Sequence, residues 1–451
     1  MAFEDALATW LVKQRWFAGK GRGLRDLAII ADTEVVGGDP ELRHLIITVS
    51  HGTTADYYQV LAGLRRRLPA RLKHARIGPA GDGRQAYDAL HDADLTKPLL
   101  AALAAESSVG SLQMHKVPGA RFGTCLDSLV LTGEQSNTSL VFGEESILKV
   151  FRRLSPGPNP DLEVTTALAR LGSQHIAEPF GWMETTLDGV PTSLAILSRY
   201  LRLASDGWSL AATSVRDLYA MEDGTGDGVR AGEAGGDFAG EAYRLGIATA
   251  QIHTDLSAAF GADVLGDIAL RELTEQMFRK LDLAEAAVPE LARYSEMIGD
   301  AYSSLAKLRD PIPVQRVHGD YHLGQVMRTT ETGWVVLDFE GEPATPLAQR
   351  RARSSPLRDV AGMLRSFDYA ARHQLIGHPE QFDLNAVAGD WVRRNASAFC
   401  AGYAEAGGLD PDENDVLLRA LQLDKAVYEV LYEARHRPSW LQIPLDSLAE
   451  F

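Results

Sequence analysis

One stretch, residues 314–343, limits the possible folds of this chain more than any other: VQRVHGDYHLGQVMRTTETGWVVLDFEGEP. It contains two short apolar runs, at 314–317 and 335–337, and each run ends in polar residues. The first leads into His318-Gly319-Asp320 and the second into Asp338-Phe339-Glu340. The segment TTETG between the runs is turn-rich, which is typical of a hairpin or a bulged connection. The pattern predicts two neighbouring strands that carry polar side chains at their ends.

This stretch carries the residue types that phosphoryl transfer requires. Asp320 is a carboxylate that can accept the proton of an acceptor hydroxyl. Gln325, five positions further on, and Asp338 offer an amide oxygen and a carboxylate oxygen, which are hard ligands that suit Mg²⁺. We therefore predict Asp320 as the catalytic base, and Gln325 and Asp338 as ligands of a magnesium ion that carries nucleotide phosphates.

The motifs HGDYHLGQ and LDFE resemble the catalytic and metal-binding loops of the aminoglycoside phosphotransferase superfamily, which is related to the protein kinases. Protein kinases have Asn at the position of Gln325, so the longer side chain implies a slightly different metal geometry. The segments EGEPATPLAQRRARSSPLRDVAGMLRSFDYAA and LDKAVYEVLYEARHRPSWLQIPL resemble those of the maltokinase-like sugar kinases of actinobacteria. That group includes maltokinases and related glucosamine kinases. The resemblance extends over most of the chain and is weakest towards the N-terminus.

The resemblance implies an α+β, bilobal protein-kinase-like fold with an N-terminal α/β cap. It also implies ATP and Mg²⁺ as cofactors, and His318 as a residue that orients the catalytic loop. We place the cap at residues 1–88, a β-rich small lobe with the nucleotide-binding strands at 89–200, and a helical lobe with the catalytic loop and acceptor site at 201–451. A chain of 451 residues is long enough for such a division.

Composition argues against several other classes of protein. No run approaches the roughly 20 apolar residues of a membrane span, and the N-terminus MAFEDALATWLVKQRW has no signal-peptide pattern. The formal net charge of -16 argues against a broad nucleic-acid footprint. The two cysteines, Cys125 and Cys400, make a disulfide framework or a zinc site unexpected. We therefore expect a cytoplasmic enzyme that acts on small molecules, with no nucleic-acid or membrane partner.

The cap is expected to open with an amphipathic helix at about residues 3–13. The later runs at 45–49 and 56–61 flank the segment His51-Gly52-Thr53-Thr54, which is a hairpin signal. The basic segment Gly19-Lys20-Gly21-Arg22 lacks the spacing of a P-loop. We therefore predict that it forms a turn that packs the cap onto the next domain.

Three β-rich runs predict the strands of the small lobe: 128–133, 139–144 and 146–152. The connecting segment 134–139 occupies the position of the glycine-rich loop of a kinase and is rich in hydroxyl and amide side chains. Backbone N–H groups and the hydroxyls of Ser136 and Thr138 can bind phosphate oxygens there. A plain hairpin turn explains the same pattern.

Lys149 lies in the apolar run Ile147–Phe151. Such a lysine is either an edge-strand residue directed to solvent or a functional residue with a partner. The resemblance implies that Lys149 holds the nucleotide phosphates and pairs with a carboxylate on the next helix. Pro160 and the acids that follow predict the start of that helix. We expect Glu163 to pair with Lys149, and Asp161 to stabilise the helix N-terminus.

The run at 191–201 predicts a strand that leaves the small lobe at the position of a kinase hinge. Adenine meets backbone groups at such a hinge, and we place this contact between Leu197 and Tyr200. The prediction depends on position alone, because backbone recognition leaves little side-chain signature.

The C-terminal lobe is predicted to be mainly helical. We expect a mobile acidic surface loop at 221–237, a helix from Phe238 to about Thr254 and another helix from about 354. His253 is expected to be a buried structural residue. Asp359 resembles a family aspartate that braces the catalytic loop.

The last predicted helix carries many residues of the kinds that bind sugars. Asp424, Tyr428 and Tyr432 recur every four residues and share a face, with Glu429 and Glu433 on an adjacent stripe. Carboxylates suit sugar hydroxyls and aromatic rings suit the apolar face of a sugar, although an ordinary amphipathic helix has the same spacing. The predicted acceptor site comprises Asp320, His322, Asp424, Glu429, Glu433, His436 and Trp440.

The sequence thus predicts an enzyme that transfers the γ-phosphoryl group of ATP to a sugar hydroxyl. An ammonium-bearing sugar suits a carboxylate-rich pocket, so we favour glucosamine, giving glucosamine 6-phosphate, over the alternative maltose, giving maltose 1-phosphate. Two further alternatives are an aminoglycoside phosphotransferase with the same catalytic residues and a pseudokinase scaffold. The intact set of Lys149, Asp320, Gln325 and Asp338 argues against the scaffold.

Overall fold

The computed structural model of the protein describes residues 3–19, 26–51, 54–131, 133, 136–221, 236–342, 345–377 and 381–451. Outside these ranges lie parts of four predicted features: the basic turn at 20–22, the hairpin turn at 52–53, the phosphate loop at 134–135 and the acidic loop at 222–235. Contacts divide the chain into two compact units, unit 1 with 1–166 and 177–202, and unit 2 with 167–176 and 203–451. The three-part division at residues 88 and 200 stays a prediction, since unit 1 contains both the cap and the β-rich segment.

Unit 1 is rich in strands. Its helices are α1 (Phe3–Leu11), α2 (Ala93–Ala104) and α3 (Pro160–Arg170), of which α3 continues into unit 2. Its strands are β1 (Asp26–Val36), β2 (Glu41–His51), β3 (Thr54–Arg65), β4 (Arg76–Pro79), β5 (Gln85–Asp88), β6 (Ser108–Val109), β7 (Leu112–Lys116), β8 (Ser128–Val130), β9 (Thr138–Phe142), β10 (Ser146–Val150), β11 (Arg153–Leu154), β12 (Pro179–Leu187) and β13 (Val190–Arg199). The elements predicted for this part of the chain are confirmed, with small shifts at their ends.

The cap is a twisted sheet with α1 packed against it. Its strands follow the order β1-β2-β3-β5-β4, and β2 and β3 form a long antiparallel hairpin. Burial along β1 alternates between exposed and partly buried residues, which is the period of two expected when one face of a strand packs on a core. That core contains Leu7 and Leu11 of α1 together with Leu45, Ile47 and Tyr58 of the sheet.

The second sheet of unit 1 carries Lys149. Its strand order is β6-β7-β12-β13-β10-β9-β8, and the register places Lys149 between Ile196 of β13 and Ser139 of β9. Burial alternates along β10, with Leu148 and Val150 fully packed in the core. Lys149 therefore lies on the opposite face of the sheet from these two residues.

Gln59, a buried residue of the cap, joins the two sheets. Its Nε2 donates to the carbonyl oxygens of Phe151 and Leu194, each at 2.6 Å. Its Oε1 lies 3.0 Å from Nε2 of His44. Because an amide oxygen only accepts, His44 Nε2 carries the proton of this hydrogen bond. A cap side chain thus fixes the backbone directly after β10.

Arg152 makes a second connection between the cap and the second sheet of unit 1, which carries Lys149. The side chain is buried and forms an ion pair with Asp88, while its Nε donates to Thr138 Oγ1 at 2.8 Å. The guanidinium carbon also lies 5.1 Å from the ring centre of Trp16. A buried guanidinium requires such partners because its desolvation is otherwise costly. Arg152 therefore ties Trp16 and Asp88 of the cap to the start of β9.

Unit 2 is mainly helical. Its helices are α4 (Gly207–Met221), α5 (Ala239–Phe260), α6 (Asp267–Ala287), α7 (Ser295–Leu305), α8 (Leu347–Arg350), α9 (Leu357–Arg372), α10 (Gln381–Glu405), α11 (Asp415–His436) and α12 (Gln442–Leu448). Its strands are β14 (Ser205–Asp206), β15 (Ala262–Leu265), β16 (Ile312–Gln315), β17 (Val326–Thr329) and β18 (Gly333–Val336). The predicted helices are confirmed, although α5 extends to Phe260. No helix in the described part of the chain is both long and apolar enough to cross a membrane.

The hairpin near the catalytic residues is built from other strands than expected. β17 and β18 pair from Val326↔Val336 to Thr329↔Gly333, so the turn-rich segment connects these two strands. The first apolar run forms β16, which pairs with β15. The prediction that the two apolar runs are neighbouring strands is therefore wrong, and other contacts bring the loops after them together.

His44 makes the stability of unit 1 sensitive to acid. Burial lowers the pKa of its imidazole from 6.5 to about 4. The hydrogen bond with Gln59 acts to raise the pKa, but its effect is smaller than that of burial. Between these two values the unfolded chain binds a proton that the folded unit excludes. The free energy of unfolding therefore falls as the pH drops from 6.5 to 4.

We expect this loss to be on the order of 3 kcal/mol, from about 1.4 kcal/mol per pKa unit. Urea unfolding at pH 7 and pH 4, followed by circular dichroism, measures it. His44→Gln removes the titrating group and should reduce the difference between the two pH values. An equal difference in the wild type and the variant would contradict the assignment to His44.

Candidate active site

The catalytic loop that follows β16 is held by Asp359 of α9. Asp359 is 1% exposed, and its carboxylate accepts the N–H of His318 at 2.7 Å and that of Gly319 at 2.9 Å. His253 Nε2 lies 3.1 Å from the same carboxylate. Burial alone would raise the pKa of Asp359, but His253 and the other donors outweigh it and lower the pKa. Asp359 therefore stays ionised and braces the loop, and the structural role predicted for His253 is confirmed.

The ring of His318 joins the catalytic loop to the loop after β18. The N–H of Asp320 donates to Nδ1 at 3.3 Å, so Nε2 carries the proton and donates to the carbonyl oxygen of Leu337 at 2.8 Å. The rings of Tyr321 and Phe339 pack against it, with centroid distances of 5.3 and 5.0 Å. The predicted role of His318 in orienting the loop is confirmed.

Gln325 and Asp338 meet through this arrangement. Gln325 Nε2 lies 3.4 Å from Asp338 Oδ2, and Asp338 has a φ of 64°, a left-handed conformation that is uncommon for residues other than Gly. An amide and a carboxylate at this separation suit Mg²⁺, since rotation of the amide presents its oxygen beside the carboxylate. The pair therefore fits the metal-binding role that the sequence predicts for it.

Lys425 of α11, which was not among the predicted site residues, lies beside Asp320. Its Nζ is 3.7 Å from Asp320 Oδ1 and 3.6 Å from Glu342 Oε2. Tyr428 O–H donates to the other oxygen of Glu342 at 2.9 Å. Burial alone would lower the pKa of Lys425, but Asp320 and Glu342 outweigh it and raise the pKa. We call these four side chains the Asp320 cluster, in which Lys425 stays cationic.

His322 borders the Asp320 cluster. Its Nδ1 accepts the N–H of Gly324 at 3.0 Å, so Nε2 carries the proton of the neutral ring. Burial is the main cause that lowers the pKa of His322, although Asp320 acts in the opposite direction. His322 is thus a neutral hydrogen-bond donor near Asp320, which is compatible with the predicted contact to the acceptor.

Two of the predicted acceptor carboxylates on α11 have other partners. Lys280 Nζ lies 3.0 and 2.7 Å from the two oxygens of Asp424. Arg365 donates to Glu429 Oε2 from Nε and Nη2 at 2.9 and 2.7 Å, and Glu429 is 8% exposed. The first pair joins α11 to α6 and the second joins α11 to α9. The structure therefore favours a packing role over acceptor binding for both carboxylates.

The remaining acceptor candidates lie at the end of α11. Glu433 is buried, and Arg437 binds its two oxygens at 2.6 and 2.9 Å, so packing is also the favoured role of Glu433. His436 is exposed and stacks on Tyr432 with a centroid distance of 4.5 Å. Trp440 stacks under the Arg437 guanidinium at 4.5 Å. Acceptor contacts of His436 and Trp440 stay predictions.

In unit 1, Asp161 is a partner of Lys149. Lys149 Nζ lies 3.5 Å from Asp161 Oδ2, and Asp161 belongs to the first turn of α3. The sequence predicted that Asp161 acts on the helix N-terminus and that Glu163 pairs with the lysine. Asp161 lies at the helix N-terminus, as predicted, and the structure adds Lys149 as its partner. The pairing of Glu163 with Lys149 stays a prediction.

Some of the residues predicted to contact the nucleotide form hydrogen bonds within the protein. Leu197 lies inside the sheet, with β10 on one side and β12 on the other, so its backbone belongs to the ladder and the adenine contact predicted there stays a prediction. The hydroxyl oxygen of Thr138 accepts from Arg152. Tyr200 follows β13, and its N–H donates to the carbonyl oxygen of the residue before β10 at 3.0 Å. Contacts of Ser136, Thr138 and Tyr200 with the nucleotide stay predictions.

Lys425 and Glu342 are the functional candidates that the sequence did not identify. Both lie in segments that carry the family resemblance, but charged residues are frequent in those segments. Lys425 and Tyr428 are three positions apart and share a helix face, which is the signal that could have identified Lys425. The fold was needed to bring Asp320 and Glu342 against that face.

Two family profiles match this chain. One, described as maltokinase N-terminal cap domain, matches residues 10–92. The other, described as phosphotransferase enzyme family, matches residues 145–413 and so covers more than half of the chain. The second range contains Lys149, the catalytic loop and Asp338.

Curated relatives are similar over most of the chain. A glucosamine kinase of Streptacidiphilus jiangxiensis is 33% identical over 335 residues, which are 70% of this chain and 72% of the relative. A glucosamine kinase of Mycolicibacterium smegmatis is 28% identical over 319 residues, 70% of this chain and 77% of the relative. A solved structure of a glucosamine kinase with glucosamine, ADP and inorganic phosphate is 26% identical, covers 100% of this chain and 99% of its own, and has a TM-score of 0.68. The kinase-like α+β fold predicted from the sequence is confirmed.

Gly362 of α9 allows the catalytic loop to approach the helix. A Cβ at this position would lie 2.6 Å from the carbonyl oxygen of Tyr321, which no side chain can tolerate without a shift. We expect Gly362→Ala to displace the loop, to destabilise unit 2 by about 1–3 kcal/mol and to lower kcat by up to about a hundredfold. Thermal unfolding and steady-state kinetics measure the two effects.

Gly299→Ala in α7 is the matched control. The nearest atom to a Cβ there is Phe278 Cε1, at an ordinary distance of 3.8 Å. This variant should gain up to about 1 kcal/mol from helix propensity and keep its kcat. If Gly362→Ala behaved like this control, the close approach of the loop to α9 would be disproved.

Proposed function

Because this chain belongs to the phosphotransferase enzyme family, we propose that it transfers the γ-phosphoryl group of ATP to the 6-hydroxyl of glucosamine. The observation that carries the proposal is the position of Asp320, on a braced loop beside Lys425 and Glu342. The curated relatives are glucosamine kinases, and a solved relative contains glucosamine and ADP. These findings favour glucosamine over maltose as the acceptor.

The donor nucleotide is bound by charge and by oxygen ligands. Lys149, with Asp161 at 3.5 Å, contributes a positive charge to the phosphates. Gln325 and Asp338 hold Mg²⁺, which supplies charge neutralisation at the phosphate oxygens when it is bound. The left-handed backbone of Asp338 directs its carboxylate towards Gln325 and so keeps the two ligands together.

Asp320 acts on the acceptor hydroxyl. The hydroxyl oxygen forms a bond to the γ-phosphorus, the bond between that phosphorus and the β,γ-bridging oxygen breaks, and ADP leaves. The hydroxyl proton passes to Asp320 late in the reaction, since the transition state is loose. Orientation of the hydroxyl is therefore the main contribution of Asp320. Lys425 stabilises the ionised carboxylate that this role requires.

The Asp320 cluster has the charge that an amino sugar needs. Asp320 and Glu342 carry two negative charges and Lys425 carries one positive charge, so the cluster has a net charge of about -1. An ammonium group balances this charge, whereas a neutral sugar leaves it unbalanced. Glu342 is the preferred partner of the ammonium group, because Asp320 must face the hydroxyl. Tyr428 O–H fixes the Glu342 carboxylate from one side.

The proposed enzyme works in the cytoplasm, with ATP and a small amino sugar as its partners. Within the described residues, Cys125 is exposed and unpaired and Cys400 is also a free thiol. Free thiols are usual in reducing compartments, where ATP is also supplied.

A panel of acceptors tests the proposal. Glucosamine, glucose, maltose and an aminoglycoside are assayed with MgATP by coupled measurement of ADP, and the product is identified by phosphorus NMR. We expect the highest kcat/KM for glucosamine and a 6-phosphate product. Maltose as the best acceptor, or an aminoglycoside, would refute the assignment of the substrate.

Asp320→Asn is the control for the chemistry. It keeps the shape of the side chain and should lower kcat by about 10²–10⁴-fold, with the Kd for ATP unchanged. Normal turnover in this variant would remove Asp320 as the base.

Glu342→Gln tests the recognition of the ammonium group. The amide can still accept the hydrogen bond from Tyr428 but loses the charge, so the KM for glucosamine should rise about tenfold, which corresponds to about 1.4 kcal/mol. Glucose lacks the ammonium group and is the matched control, and its KM should change little. An equal rise for both sugars would mean that Glu342 does not select the amino group.

A further inference from the structure

Two histidines of the cap converge on one point, and the proposed reaction does not use either of them. Nε2 of His74 and Nδ1 of His91 are 3.2 Å apart, and the ring planes are nearly perpendicular, at 89°. The ring centroids are only 4.8 Å apart, which is closer than a head-on contact of two ring nitrogens allows. At least one of the two nitrogens is therefore directed obliquely to the line that joins them, and which ring donates in this contact depends on the tautomers.

Both histidines are held by rigid turns. His74 lies in the 3-10 turn Ala70–Ala75, and His91 ends the 3-10 turn Ala89–His91. The buried side chains of Leu72 and Leu90 anchor these turns in the core. Asp88 caps the second turn by accepting the N–H of Leu90 at 3.2 Å. The fold of the cap thus fixes the backbone positions from which the two imidazoles extend.

We propose that His74 and His91 form a binding site for a divalent transition metal ion, with Zn²⁺ as the representative. In a tetrahedral zinc site with Zn–N bonds near 2.0–2.1 Å, two ligating nitrogens lie about 3.3 Å apart. The observed 3.2 Å between the histidine nitrogens matches that separation. His74 is exposed, so solvent can reach the ion and water can fill the remaining coordination positions.

The protonation of the pair suits metal binding. Burial is the main cause that lowers the pKa of His91, which favours the neutral ring that binds metals. A ring nitrogen that binds a metal must present its lone pair. The ring that donates in the metal-free pair therefore changes tautomer, by moving its proton to its other nitrogen through solvent. No proton is released overall.

Bound metal would link two turns that are separated in the sequence. The second turn contains Asp88, whose carboxylate forms the buried ion pair with Arg152. A metal ion that binds the folded cap and not the unfolded chain raises the stability of unit 1, and above the Kd this gain grows with the logarithm of the free metal concentration. The site is independent of the acceptor and nucleotide residues assigned above.

Zinc titration of the full-length protein tests this site. Metal-free protein in excess Mg²⁺, which keeps the Mg²⁺ ligands of the catalytic loop occupied, is titrated with ZnCl₂ by isothermal calorimetry at pH 7.5. We expect the wild type to bind one equivalent of zinc, and we expect this binding to be lost in His74→Gln and in His91→Gln. Zinc should also raise the Tm of the wild type and leave the Tm of the two variants unchanged.

His436→Gln is the matched control, since it removes an exposed histidine from unit 2 and should retain the zinc equivalent. Far-ultraviolet circular dichroism without metal establishes that each variant is folded. The proposal is overturned if the wild type binds no zinc equivalent, or if both cap variants bind zinc as the wild type does.

Discussion

A single buried carboxylate, that of Asp359, holds together the parts of unit 2 that carry out the chemistry. It accepts two N–H groups of the catalytic loop, and His253 stabilises its charge at Oδ2, the oxygen that also accepts the His318 N–H. A buried carboxylate without donors is strongly unfavourable. Displacement of the loop from α9 would therefore be costly. The His318 ring then extends this order to Leu337, directly before Asp338. Asp320 and Asp338, the predicted base and the predicted metal ligand, are thus positioned by one chain of hydrogen bonds.

The cap contributes to the sheet that carries Lys149 through a few buried polar side chains. Gln59 satisfies two backbone carbonyl groups that follow β10 and lie on β13, and Arg152 reaches from the sheet to Asp88. In a protein interior each of these groups would be costly without its partner. The cap therefore supports the strands around Lys149, in addition to having a core of its own.

The carboxylates of unit 2 occur in two kinds of environment. Glu429 is buried and pairs with Arg365 of α9, whereas the buried Glu433 pairs with Arg437 at the end of its own helix and accepts the hydroxyl of Tyr369 of α9 at 3.2 Å. Asp320 and Glu342 instead share Lys425, so one negative charge is left for a ligand. Removing one partner of a fully buried pair is destabilising, whereas the partly exposed cluster can exchange partners when an acceptor binds.

The sequence determined the family and the α+β class and predicted the catalytic loop and a metal-binding pair, because these depend on short motifs whose spacing is local. Most helices and strands were also predicted, since hydrophobic periodicity is local as well. The tertiary structure alone decided that Asp161 lies beside Lys149, that β16 pairs with β15, and that Leu197 is enclosed in its sheet. It also showed that each of the three candidate carboxylates of α11, which look alike in the sequence, has an arginine or lysine partner within the protein. Lys280 and Arg365, the partners of Asp424 and Glu429, come from distant segments, and packing of the whole chain sets which segments meet.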